Sequence, residues 1–328
     1  MVLTLTRPIN LLSILIGFIV VFFFSSCSSS SQEQSSEVSS KPSLQFTEHP
    51  NLKLGFTTQN FLAAMPVSLE TSKQFVDYAA EQGYDWLELR DPNAELSVEE
   101  SKEIASYAQE KGIEVSYAIQ KGLLDHDFWP SFEKGLKNAV AFEGPNLIRS
   151  LASLSEFASD TTKQGWTEEE LESAIQYADS AAALATEAGL QYVIENGGEP
   201  FFGKEEQYFG VADLFAQVGD KVGWQFDTAN PFSVARVQTT PDSVRQYLQD
   251  HVNNLFYIHL KSAKLGQAQE VLGENPLPLT EVLQTLSENS VTYVAIELQA
   301  VDNMEKAFEN QENSLAYLQS QSIINNSQ

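Results

Sequence analysis

The chain has 328 residues, 42% of them hydrophobic and 11% aromatic, with 45 acidic against 19 basic side chains and a formal net charge of −26. That length suits one barrel-sized domain of about 250 residues plus extra segments, with ample apolar content for a core. The acidic balance argues against a nucleic-acid partner, because phosphate binding needs concentrated Lys and Arg; runs such as Glu168-Glu169-Glu170 read as a solvated acidic surface.

Residues 1–26 hold one positive charge, Arg7, and an apolar run from Leu11 to Phe24. This pattern predicts a secretory signal peptide. Ser25-Ser26-Cys27 resembles a bacterial lipobox, with Phe24 where Leu is usual. The resemblance implies cleavage before Cys27, acylation of its thiol, and an exported protein lipid-anchored to a bacterial membrane. Cys27 is the one cysteine, so an intramolecular disulfide is excluded. Residues 28 to about 50 are rich in Ser, Gln and Glu and read as a flexible, disordered linker.

From residue 51 to 320 the pattern alternates. Leu52–Thr57 reads as a first strand, and a helix from Ser68 to Gln82 follows, closed by Gly83. Trp86–Arg90 is a second strand. Ser97 and Glu100 form a capping-box signature for a helix that stops at Gly112. Glu114–Ile119 and Leu147–Leu151 read as strands three and four, with a helix from Phe128 to Phe142 between them. Thr167 and Glu170 open the clearest helix, rich in Ala and Leu as far as Ala188. Strand five is Gln191–Glu195, strand six ends at Asp227, strand seven at His259 to Lys261, and strand eight at Glu297. Pro241 follows the Thr240 cap of a sixth helix, where its missing N–H does no harm. A last helix runs from Asn303 to Leu318, and residues 321–328 read as a polar tail. Eight successive βα units predict a single (β/α)8 TIM barrel.

Four of these strands end on an ionisable side chain: Glu195, Asp227, His259 and Glu297, at intervals of 32, 32 and 38 residues. One βα unit takes roughly 30 residues, so each falls once per unit at the rim where barrels carry their chemistry. Any one alone also reads as a satisfied polar residue at a strand end. Together, three carboxylates would repel, and a divalent cation removes that cost. Three oxygen ligands and one nitrogen suit Mn²⁺ or Mg²⁺, and also Zn²⁺ or Co²⁺.

The motifs resemble those of the xylose isomerase-like TIM barrels, the sugar (phosphate) isomerase/epimerase superfamily. They are Gly83-Tyr84-Asp85-Trp86-Leu87-Glu88-Leu89, Val193-Ile194-Glu195-Asn196, Phe226-Asp227-Thr228-Ala229-Asn230, Ile258-His259-Leu260-Lys261, Gly273-Glu274-Asn275-Pro276 and Ala295-Ile296-Glu297. The resemblance implies that Glu195, Asp227, His259 and Glu297 bind one divalent metal, and that Glu195 and Glu297 also move protons. Two departures stand out: Asn230 where the family often has His, and Ser262 after Lys261 where Asp is usual. Glu88, Arg149, Asn230 and Lys261 are the candidate substrate contacts at the rim, and Arg90 ends strand two beside Glu88.

The leading expectation is a metal-dependent isomerase or epimerase of a small carbohydrate. One carboxylate removes the proton beside a carbonyl to give an enediolate, and the other returns it. A lyase or hydratase acting on keto-sugars or 3-keto-glycosides would use the same site, and a sugar-binding lipoprotein without activity would use the same scaffold.

Overall fold

A computed structural model describes residues 43–160, 162–233, 239–289 and 291–327. The leader and Cys27 lie outside the described residues.

Eight strands form the barrel. They are β1 (Lys53–Thr57), β2 (Trp86–Arg90), β3 (Glu114–Gly122), β4 (Leu147–Leu151), β5 (Gln191–Glu195), β6 (Gly223–Asp227), β7 (Leu255–Leu260) and β8 (Tyr293–Ile296). They pair in chain order, and β8 closes the ring on β1, with Tyr293 opposite both Lys53 and Tyr257. All the barrel pairings are parallel, so both faces of each strand are covered and side chains alternate between the helix layer and the interior.

The helix starts follow local chemistry. Ser68, Ser97 and Thr167 each accept from the N–H three residues on, and the side chain at that position accepts from the cap residue's own N–H. Thr240 caps Pro241–His251. Gly83 and Gly112 end their helices with φ of 84° and 74°, a conformation that costs other residues.

Most of the core lies between barrel and helices. Inside the barrel, Trp86, Leu147, Val193, Tyr257 and Ala295 form a separate apolar cluster. Trp86 fits there because Gly55 beside it lacks a side chain: a Cβ on Gly55 would sit 2.5 Å from Trp86 Nε1. That nitrogen donates to the carbonyls of Lys53 and Val294.

The expected linker and polar tail need correcting at their barrel ends. Ser43–Phe46 is a strand, paired antiparallel with Ile324–Ser327. Leu44, Phe46 and Ile324 are buried. The ordered unit therefore begins before residue 51 and takes in most of the tail. Each segment is too short and polar to signal a strand alone, and its partner lies at the far end of the chain. No helix among the described residues is long and apolar enough to cross a membrane.

Candidate metal centre at the barrel rim

Glu195 is the last residue of β5 and Asp227 the last of β6; His259 precedes the last residue of β7, and Glu297 follows β8. Barrel closure brings the four together. One ligand atom from each lies within 4.8 Å of the others, and all four residues are buried.

The protein holds one oxygen of each carboxylate and leaves the other turned toward its neighbours. Glu195 Oε2 lies 2.8 Å from Arg149 Nη1. Asp227 Oδ1 accepts from the N–H groups of Ala229 and Asn230, at 2.7 and 2.8 Å. Glu297 Oε1 accepts from Lys261 Nζ at 2.8 Å. The remaining oxygens meet the His259 ring or a cation. His259 Nδ1 is 3.4 Å from Glu195 Oε1 and 2.5 Å from Glu297 Oε2, though neither contact has hydrogen-bond geometry. Asp227 Oδ2 has Lys261 Nζ 3.4 Å away but no hydrogen bond. Buried polar atoms are normally hydrogen-bonded, so two unpartnered ligand atoms within this four-residue cluster fit a bound cation.

Four buried carboxylates, Glu88, Glu195, Asp227 and Glu297, share three fixed cations, Arg90, Arg149 and Lys261. Burial raises the pKa of every carboxylate here. Lys261, Arg90 and His259 outweigh it at Glu297, which stays well below the usual range, and Arg149 does the same for Glu195 to a lesser degree. At Asp227 burial wins, reinforced by Glu297 and Glu195, and pushes the carboxyl up to about 6 against the pull of Lys261. Burial disfavours the charged ring of His259, but Glu88, Glu297 and Glu195 override it and raise its pKa well above normal. A divalent cation at the unpartnered atoms would replace the His259 proton as the positive charge that these carboxylates surround.

The expected substrate contacts divide into two groups. Asn230 and Lys261 line an open pocket of 860 Å³ together with Gln267, Gln269 and Gln299. Asn230 Nδ2 donates to the Asn196 carbonyl at 2.8 Å, and its Oδ1 lies 3.4 Å from Lys261 Nζ. Glu88 and Arg149 have no exposed surface and bond to each other inside the barrel at 2.9 Å. Arg90, noted only as a neighbour of Glu88, reaches Glu88, Glu195 and Glu297 at 3.2–3.4 Å. Tyr257 was missed: its hydroxyl donates to Glu88 Oε2 at 2.5 Å. Its position two residues before His259 in one strand was the available signal. Asn196, quoted only as part of a motif, ties β5 to β6 through both the N–H and the carbonyl of Asp227.

Several solved structures share the fold. A D-psicose 3-epimerase with D-tagatose from Clostridium cellulolyticum H10 is 16% identical, with 83% of this chain and 94% of that one covered and a TM-score of 0.57. The IOLI protein with a bound zinc atom is 17% identical, with coverages of 83% and 99% and a TM-score of 0.59. A xylose isomerase-like TIM barrel protein from Mycobacterium smegmatis in complex with magnesium is 17% identical, with coverages of 82% and 97% and a TM-score of 0.55. No curated protein sequence matches the chain. The sequence model of the xylose isomerase-like TIM barrel matches residues 76–321, well over half of the chain. Closed barrel, rim constellation and sequence match agree, and the chain belongs to the xylose isomerase-like TIM barrel family.

Proposed function

We propose that this protein is a divalent-metal-dependent isomerase or epimerase of a keto-sugar. The observation that carries the reading is the buried meeting of Glu195, Asp227, His259 and Glu297, with Asp227 Oδ2 and His259 Nδ1 unpartnered. Three oxygen ligands and one nitrogen favour Mn²⁺ or Mg²⁺, with Zn²⁺ or Co²⁺ also compatible. When bound, the cation would polarise the sugar carbonyl and make the neighbouring C–H more acidic.

The side chains supply the proton transfers. Arg149 and Arg90 both hold Glu195 Oε2 and leave Oε1 to take or give a proton; Lys261 holds Glu297 Oε1, and Arg90 reaches its Oε2 at 3.3 Å. One of the two carboxylates removes the proton beside the carbonyl, and the C–H electrons form the enediolate. The other returns a proton to the opposite face of that carbon, or one passes to the neighbouring carbon, giving epimerisation or isomerisation. Asp227 and His259 act as ligands only. Asn230 and Lys261 meet the sugar where they line the pocket. Asn230 offers hydrogen bonds and no proton transfer near neutral pH.

Metal analysis of the purified protein, with and without substitutions at the four ligands, tests the site. Incubating a panel of ketoses with Mn²⁺ in D₂O tests the reaction: exchange of the α-hydrogen is expected. Metal without exchange, joined to an unsaturated product from a 3-keto-glucoside, would reassign the reaction to a lyase. Saturable sugar binding without turnover would leave a binding protein.

We also propose export and lipid anchoring through Cys27. Labelled palmitate should enter the native protein in a bacterial host and be lost in Cys27→Ser; equal labelling of both would end that proposal.

A further inference from the structure

Glu88 is fully buried. It sits at the centre of the charged interior. Oε1 accepts from Thr57 Oγ1 at 2.8 Å, Arg149 Nη2 at 2.9 Å and Arg90 Nη2 at 3.2 Å. Oε2 accepts from Tyr257 at 2.5 Å and lies 3.0 Å from His259 Nε2.

The last contact decides how the histidine can act. As a metal ligand the imidazole is neutral, with one N–H and one lone pair. Glu88 already accepts from two guanidiniums, Arg149 and Arg90, and from the Thr57 and Tyr257 hydroxyls, the setting of an ionised carboxylate. An ionised carboxylate only accepts, so the N–H must be at Nε2. The lone pair is then at Nδ1, the ring atom that faces Glu195 and Glu297. The two arginines extend the same control. Arg149 joins Glu88 to Glu195, and Arg90 joins it to both Glu195 and Glu297.

We propose that Glu88 is the positioning residue of the metal centre: it fixes the Nε2–H tautomer of His259 and, through Arg149 and Arg90, orients Glu195 and Glu297. This rests on the metal-site reading above. Outer carboxylates of this kind typically change metal affinity by about 10–100-fold when removed.

Titration calorimetry with Mn²⁺ on native protein, Glu88→Gln and Tyr257→Phe tests it. Glu88→Gln is expected to weaken Mn²⁺ binding by about 10–100-fold. Tyr257→Phe keeps the His259 contact, so its affinity should stay within about threefold of native. If the native protein binds no metal, the site reading itself fails. If native protein binds Mn²⁺ and folded Glu88→Gln binds it equally well, only the role of Glu88 fails. Should Glu88→Gln not fold, ¹⁵N NMR of native protein loaded with Mg²⁺ still decides. The proposal requires the His259 proton at Nε2, and a proton at Nδ1 would overturn it.

Discussion

Two levels of the barrel interior, one step apart on the same strands, have opposite chemistry. Trp86, Leu147, Val193, Tyr257 and Ala295 form an apolar floor. Two residues on in each strand come Glu88, Arg149, Glu195, His259 and Glu297. A strand returns to the same face every second residue, so each pair points inward, one above the other. The floor gains from leaving water. The upper level loses hydration, and only its dense pairing makes burial tolerable. Apolar packing is thus concentrated below and charge above, with Tyr257 the link: its ring packs in the floor and its hydroxyl binds Glu88.

Four experiments would break or sharpen that contrast. The largest effect is expected at the rim: Glu297→Gln should slow α-hydrogen exchange about 10²–10⁴-fold, because a general acid–base group is lost. Denaturant midpoints should change little by comparison, and unaltered exchange would remove Glu297 from the chemistry.

Next come two changes of similar cost and different cause. Trp86→Ala opens a cavity in the floor and should destabilise by about 3–5 kcal/mol. Arg149→Met leaves Glu88 and Glu195 with only the longer Arg90 contacts and should also cost about 3–5 kcal/mol. Urea unfolding measures both. Mn²⁺ titration separates them, since only Arg149→Met should weaken metal binding. A floor substitution that altered the metal as strongly would blur the division of levels.

Removing metal should come third. Adding Mn²⁺ to 100 times its dissociation constant should raise stability by about 2.7 kcal/mol over chelated protein. Thermal unfolding with and without EDTA reads this directly; no difference would mean that the rim holds no ion.

The smallest effect concerns Glu199, a buried carboxyl in the loop after β5. Ser153 and the Gly197 N–H donate to it, but burial prevails and pushes its pKa up to about 7, from the usual 4.5. Between those values the folded protein keeps a proton that the unfolded chain has released. Stability attached to this group is therefore complete below about pH 4.5 and falls as pH rises to about 7. Glu199→Gln should flatten that fall and gain roughly 1–3 kcal/mol on native protein at pH 8. Parallel urea curves from pH 4 to 8 would show it, and identical slopes would exclude the shift.

Much of this molecule was readable from local pattern. Strands β2, β4 and β5 have the bounds expected from apolar runs, and the caps at Ser97, Thr167 and Thr240 are the expected ones. These features depend on neighbours within a few residues. Positions of Glu195, Asp227, His259 and Glu297 at strand ends were legible for the same reason. Their convergence followed from counting units, since eight βα repeats close into one ring.

The sequence by itself, then, determined the elements, their order and the ionisable residues at the rim. The tertiary structure decided which of those residues meet. Glu88 and Arg149 were legible only as strand-end residues, and closure brings Tyr257, His259 and Glu195 to them from other strands. The strand pair Ser43–Phe46 and Ile324–Ser327 escaped notice too, because neither segment has a partner until the two ends of the chain come together. Local pattern records what a residue needs from its neighbours in sequence; pairing across the barrel depends on closure and register, which no short stretch of sequence encodes.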